Sequence, residues 1–191
     1  MQTLKVREKK VSVHTYNYDN IIEFLNITKD ILENPTVKQM KNFRQHYDCS
    51  CYEHCLEVAY WSYLFCKKYG WDYVSAARGA MLHDLFLYDW RGSKKKLHLK
   101  HFHAFLHPQI ALYNAEKLFN LNDKEKDIIV KHMWPVTLLS IPKYRESFLI
   151  TIVDKRSALK SFFEYNKKQF LNTKFYRYAY IFFTVLLFRI F

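Results

Sequence analysis

A chain of 191 residues, half of them hydrophobic, has the length of one domain and ample material for a single core, which excludes a largely disordered protein. Three Gly and four Pro argue against a turn-rich sheet protein and for helices joined by short loops, so an all-α fold is expected. The formal charge of +12 favours anionic partners such as nucleotides, nucleic acid or a membrane surface, and says nothing about fold.

The segment Met1 to Lys10 is charged and lacks the apolar centre of a secretory signal, so a cytoplasmic location is expected. Residues 1–18 read as an extended or frayed arm. Asp19 is placed to cap a helix with Ile21, Phe24, Leu25, Thr28, Ile31 and Leu32 on one stripe, ended by Asn34-Pro35. A short helix over Val37 to Phe43 and a polar, loop-like stretch from Gln45 to Ser50 follow. Ser50 is a good cap for the next helix, about Cys51 to Tyr69, which Gly70 stops. The four cysteines, Cys49, Cys51, Cys55 and Cys66, are clustered instead of spread as a disulfide framework, and read as reduced thiols. With Val58, Ser62, Phe65 and Tyr69, three of them form a core-packing stripe that also carries His54; no CxxC pair argues for zinc.

Asp72 caps a helix from Tyr73 to Leu82 whose Ala76, Ala77, Gly79 and Ala80 permit close approach of a neighbour. It delivers His83-Asp84 at its C-terminal end. Residues 85–104 read as a long loop containing Arg91, Lys94 and the histidines His98, His101 and His103. Such a basic loop is either a solvated surface or a lid that gathers phosphate, and flexible segments make poor ligand positions. His107-Pro108 is read as the start of a helix with Ile110, Ala111, Asn114, Ala115, Leu118 and Phe119 on one face. A helix over Asp123 to Met133 turns Ile128, Ile129 and His132 to one side. A long helix over Tyr144 to Phe163 has Phe148, Ile152, Lys155 or Arg156 and Leu159 at helical spacing, with Asp154 inside an apolar run. Residues 175–191 are apolar and aromatic but interrupted by Arg177 and Arg189. They suit a packed terminal helix, a membrane-surface helix or an oligomer contact, and fall short of a standard span of about 20 residues.

Five helical segments thus each turn a histidine or aspartate inward: His54, His83 with Asp84, His107, His132 and Asp154. A carboxylate buried among apolar neighbours is costly unless positive charge compensates it. Four imidazoles and two carboxylates are about what two first-row metals need while leaving positions for water and substrate. Two such ions about 3.5 to 4 Å apart hold a hydroxide at neutral pH and polarise a phosphoryl oxygen.

The ordered contexts Tyr52-Glu53-His54, Ala80-Met81-Leu82-His83-Asp84, His107-Pro108, Lys131-His132 and Val153-Asp154-Lys155 resemble the HD-domain superfamily of metal-dependent phosphohydrolases, over residues 40–165. The resemblance implies an all-α bundle in which His54, His83, Asp84 and Asp154 hold one metal and His107 and His132 a second, with Asp84 bridging. It is similar to the two-metal branch that includes bacterial dinucleoside-polyphosphate hydrolases, with Tyr88 standing where those often have lysine. The Gly-Tyr-Pro motif of cyclic-di-GMP phosphodiesterases is absent. Stretches such as Ser75 to Gly79 and His83 to Trp90 look like those of small bacterial HD proteins. Residues 1–39 would then pack on this domain, and residues 166–191 form a basic, apolar tail.

The expected activity is hydrolysis of a nucleotide or other small phosphoester by a hydroxide held on two divalent ions, iron, manganese or zinc. His83 and Asp84 stand at the reacting centre, and Arg78, Arg91, Lys94, Lys131 and Lys155 are candidates for binding phosphate. The alternative is a non-catalytic, metal-containing regulatory or ligand-binding module. Nucleic-acid binding ranks below both, because no recognised binding motif accompanies the basic charge. The tail is a candidate for membrane contact, and the chain for oligomer formation.

Overall fold

The computed structural model describes residues 12–46, 49–89 and 103–171. Among them the chain is all-α: α1 (Ser12–Glu33), α2 (Pro35–Lys38), a 3-10 turn (Gln39–Asn42), α3 (Cys51–Lys68), α4 (Tyr73–Leu82), α5 (His103–Leu118), α6 (Asp123–Lys131) and α7 (Arg145–Leu171). One small antiparallel ribbon, β1 (Arg44–His46) with β2 (Cys49–Ser50), interrupts the helices, pairing Arg44 with Ser50 and His46 with Cys49. Arg91, Lys94, His98, His101 and the apolar tail lie outside the described residues. No described helix is long and apolar enough to cross a membrane.

Helix ends are set by the local chemistry that the sequence displays. Asn34 accepts hydrogen bonds from the backbone N–H groups of Thr36 and Val37 and so opens α2 with Pro35 in its first turn. Ser50 and Glu53 form a reciprocal capping box at the start of α3, and Asn122 and Glu125 do the same for α6. Gly70, at φ 65°, supplies the left-handed turn that stops α3. Asp72 accepts from Ser75 N–H to start α4.

Several elements depart from the sequence reading. α1 begins at Ser12, so Asp19 lies inside the helix and caps nothing; its buried stripe is Phe24, Thr28 and Ile31, while Ile21 and Leu25 face outward. The stretch expected as a loop at Gln45 to Ser50 pairs into the ribbon, which hands the chain directly to the Ser50 cap. α5 starts four residues before His107, so Pro108 falls in its second turn instead of its first. α7 runs eight residues past Phe163. Its inward face carries Ser147, Ile150, Thr151, Asp154 and Ser157, and the expected stripe of Phe148, Ile152 and Leu159 is exposed. On that side Asp154 and Ser157 meet His54 and Glu57 of α3, while Thr151 bonds Phe148 O of its own helix.

The core centres on α3 and α4, with α6 and α7 closing round them. Gly79 of α4 meets Ile128 of α6 so closely that a Cβ built on it would stand 3.0 Å from the Cβ, Cγ2 and Cδ1 atoms of that side chain. Lys124, at the start of α6, ties this layer to α7: its ammonium lies 2.9 Å from Asp72 Oδ2 and 3.3 Å from Glu146 Oε1, while Glu146 Oε1 also accepts from Asp72 N–H. Burial acts to raise both carboxyls, but backbone hydrogen bonds and Lys124 outweigh it and hold each below its ordinary value.

Two outcomes are expected. Gly79→Ala should destabilise the fold by about 1–2 kcal/mol, the overpacking cost exceeding the gain in helix propensity; urea unfolding should show a smaller cost for the same change in an Ile128→Ala background. Because Asp72 and Glu146 bind protons more readily unfolded than folded, their contribution is complete above the ordinary carboxyl range and is lost as pH falls through it. Lys124→Met should flatten that acid-side loss in a pH series of thermal unfolding.

Candidate metal centre

His54, His83, Asp84, His107, His132 and Asp154, drawn from α3, the end of α4, α5, the end of α6 and α7, converge on one buried locus. His83 and His132 each occupy the position that closes a helix, where the preceding turn leaves carbonyls without intrahelical donors. Each ring uses one of them: His83 Nδ1 lies 2.6 Å from Ala80 O, and His132 Nδ1 lies 2.8 Å from Ile129 O. Within α5 the His107 ring is also held by a backbone carbonyl, with Nδ1 2.8 Å from His103 O. His54 Nδ1 lies 3.4 Å from Ser157 Oγ, whose own proton goes to Glu57 Oε2 at 2.9 Å. A ring that donates from Nδ1 presents an Nε2 lone pair, the form in which imidazole binds a metal.

Those Nε2 atoms surround Asp84. Its Oδ2 stands 3.4 Å from His83 Nε2 and 3.9 Å from His54 Nε2, and its Oδ1 stands 3.2 Å from His107 Nε2 and 3.4 Å from His132 Nε2. Asp154 joins the first set: its Oδ1 is 3.0 Å from His54 Nε2 and 3.9 Å from His83 Nε2. Ligands about 2.0–2.2 Å from a common ion lie roughly 3.0–3.5 Å from one another, so this spacing is close to that of coordination polyhedra. Two groups that could hold an ion, His54 with His83 and Asp84, and Asp84 with His107 and His132, therefore share one carboxylate.

The donor atoms fit a cation on a second count. His107 Nε2 and His132 Nε2 face each other at 2.8 Å, although the Nδ1 atoms of both rings are engaged with backbone carbonyls. Two lone pairs at that distance repel unless positive charge lies between or beside them. His83 Nε2 and Asp84 Oδ1 are fully buried and have no hydrogen-bond partner among the described residues, a costly state for polar atoms that a metal ion relieves.

Both carboxylates of the centre are held in the ionised form. Burial acts to raise the Asp84 carboxyl, yet the imidazoles around it, His83 first and then His107 and His132, outweigh it and hold Asp84 well below its ordinary value. Asp154 is also held low, burial being overcome by its bond to His54 and by the neighbouring imidazoles. Burial pushes His132 down, towards the neutral imidazole. The thiols of Cys51 and Cys55 lie beside Asp84 as a third group, but burial raises both, which keeps them protonated. Cys51 Sγ donates to Asp84 O at 3.1 Å and so helps to fix the backbone behind the carboxylate.

The basic residues singled out by sequence divide. Arg78 makes a two-pronged contact with Asp30, 2.7 and 2.9 Å, and bonds Glu125 at 3.1 Å; Lys131 pairs with Asp127 at 2.7 Å. Their charges are spent on those carboxylates. Lys155 instead stands at the centre's rim, donating to His132 O at 2.9 Å with its ammonium 3.6 Å from Asp154 Oδ2.

Other contributors escaped the sequence reading. Gln45 of β1 donates from Nε2 to Asp84 Oδ2 at 2.5 Å, and nothing in a short polar stretch signals that role. Ser157 was legible in principle, since it lies one turn after Asp154 on the same face. His103, assigned to a loop, stands in α5 with its ring stacked on His107 at 4.7 Å and its Nδ1 2.9 Å from Tyr88 Oη. Burial, followed by the charge of His107, pushes His103 down to about 4, and burial with the charge of Asp84 pushes Tyr88 up to about 12. Near neutral pH the phenol therefore donates to an uncharged ring. No family model, curated protein or solved structure matches the chain.

A divalent ion binding to this set requires unprotonated imidazoles, so its stabilising effect depends on pH. Added Mn²⁺ or Zn²⁺ is expected to raise the thermal midpoint near pH 7.5 and to lose that effect progressively below roughly pH 6, the ordinary range of histidine. Differential scanning fluorimetry checks both, and Asp84→Ala should abolish the response at either pH.

Proposed function

We propose that the chain is a metal-dependent phosphohydrolase of the HD-domain type, acting on a nucleotide or another small phosphoester through two divalent ions. The observation that carries this reading is the division of Asp84: Oδ2 faces His54 and His83, and Oδ1 faces His107 and His132. Such a carboxylate is suited to bridge. His54, His83, Asp84 and Asp154 would hold one ion and Asp84, His107 and His132 the other, the same partition that the resemblance to the superfamily implies. The identity of the metals, among iron, manganese and zinc, is not narrowed by donors of this kind.

A bound pair of such ions supplies Lewis acidity towards a phosphoryl oxygen and lowers the pKa of water. The chain's own residues set the conditions for that chemistry. The four tied Nδ1 positions fix the rings, so the ligand geometry is prepared before an ion or substrate arrives. Lys155, about one-third exposed beside Asp154, offers a charged donor to a phosphoryl oxygen. Tyr88 and neutral His103 add hydrogen-bonding groups beside His107 without adding charge; with Nδ1 accepting from the phenol, His103 carries its ring proton on Nε2.

The test is a screen of nucleotides and simple phosphoesters with metal-loaded protein. About two ions per chain by elemental analysis and release of phosphate or nucleoside monophosphate are expected. Asp84→Ala should lower the rate on the order of 10³-fold or more, since several kcal/mol of charge stabilisation are removed with the bridge. Lys155→Met should raise KM roughly tenfold while leaving metal content intact. A protein that holds two ions and turns over no phosphoester would favour the metal-containing binding module instead, and a protein that takes up no metal would overturn both readings.

A further inference from the structure

Between them α3 and α7 leave a groove of about 390 Å³. That volume lies at the lower end of the range of small-molecule sites, about 300–1,000 Å³, and is far too small to seat a folded partner. Trp61, Leu64 and Phe65 of α3 and Val153 of α7 form its apolar walls. Trp61 is half exposed although it is the largest apolar side chain on α3.

The rim is cationic. Lys68, Arg156 and Lys160 line the groove against the single carboxylate of Glu57. Glu57 is fully engaged, with Oε1 2.7 Å from Lys160 Nζ and Oε2 accepting from Ser157. Lys68 and Arg156 form no ion pair among the described residues; Lys68 lies over the Tyr69 ring at 5.4 Å and Arg156 over the Trp61 ring at 6.0 Å. Two cations held against aromatic faces at the mouth of an apolar slot leave a surplus of positive charge beside a surface that gains from being covered.

We infer that the α3–α7 groove binds a small amphipathic anion: one hydrocarbon or aryl body, with a phosphate or carboxylate head that meets Arg156 and Lys68. An apolar ligand without charge leaves the cations unanswered, and an inorganic anion leaves the walls wet. The inner wall includes Ser157, which also meets Nδ1 of His54, so the groove and the metal centre share a wall.

Isothermal titration of the full chain with dodecyl phosphate, kept below its micellar concentration, tests the inference without reference to metal or turnover. One saturable site per chain is expected, and it should weaken at least tenfold in Arg156→Glu and in Trp61→Ala, two exposed positions whose variants are checked for retained helicity by circular dichroism. Millimolar inorganic phosphate should not compete. Absence of saturable binding would overturn the inference, as would equal binding by both folded variants or full displacement by inorganic phosphate. Association with phosphatidylglycerol vesicles without binding of the monomeric amphiphile would overturn it in favour of a membrane surface. Failure here leaves the metal reading intact, and loss of metal binding leaves this titration interpretable.

Discussion

The structure depends on a carboxylate in the wrong solvent. Asp84 is 1% exposed, and burial by itself would drive it to the neutral acid. The imidazoles around it and the amide of Gln45 oppose that, while the thiol of Cys51 fixes its main-chain carbonyl. An ionised group in that position answers a positive charge far more strongly than one at the surface, because little water screens it. The helices are arranged to keep water away and the charge in place.

Helix ends place the ligands. At its last turn a helix has carbonyls without intrahelical donors, and His83 and His132 each use one to anchor a ring while aiming the other nitrogen at Asp84. The same bond satisfies the helix terminus and selects the tautomer. Two histidines placed this way, on helices joined through the Gly79 and Ile128 contact, inherit the rigidity of the core beneath them. His54 sits in the first turn of α3 and Asp154 within α7, and their orientation is set by the packing of α3 against α7.

That packing has a cost on the outer surface. By turning Ser147, Thr151, Asp154 and Ser157 inward, α7 leaves Phe148, Ile152, Leu159, Phe162 and Phe163 exposed to varying degrees. A helix packed for hydrophobic burial alone would present the opposite side. Asp154 and Ser157 find their partners, His54 and Glu57, on the side that faces α3, and those apolar residues stay outside.

How much was legible follows from how local each signal is. The caps at Ser50, Asp72 and Gly70, the small-residue face of α4 and the inward direction of His54, His83 and His132 could be read from the sequence, because each depends on residues within one or two turns. His107 and Asp154 completed the set through the ordered motif contexts and the oddity of a carboxylate within an apolar run. The ribbon that brings Gln45 to Asp84, the extra turn that lifts His103 onto His107, the capture of Arg78 by Asp30 and Glu125, and the inward face of α7 could not be read from the sequence. Each joins groups many residues apart, and a helix with both polar and apolar stripes has no local rule for which one faces the core. The sequence by itself determined an all-α chain and which side chains could meet. Tertiary structure alone decided which oxygen of Asp84 faces which pair of histidines, because only packing fixes that orientation.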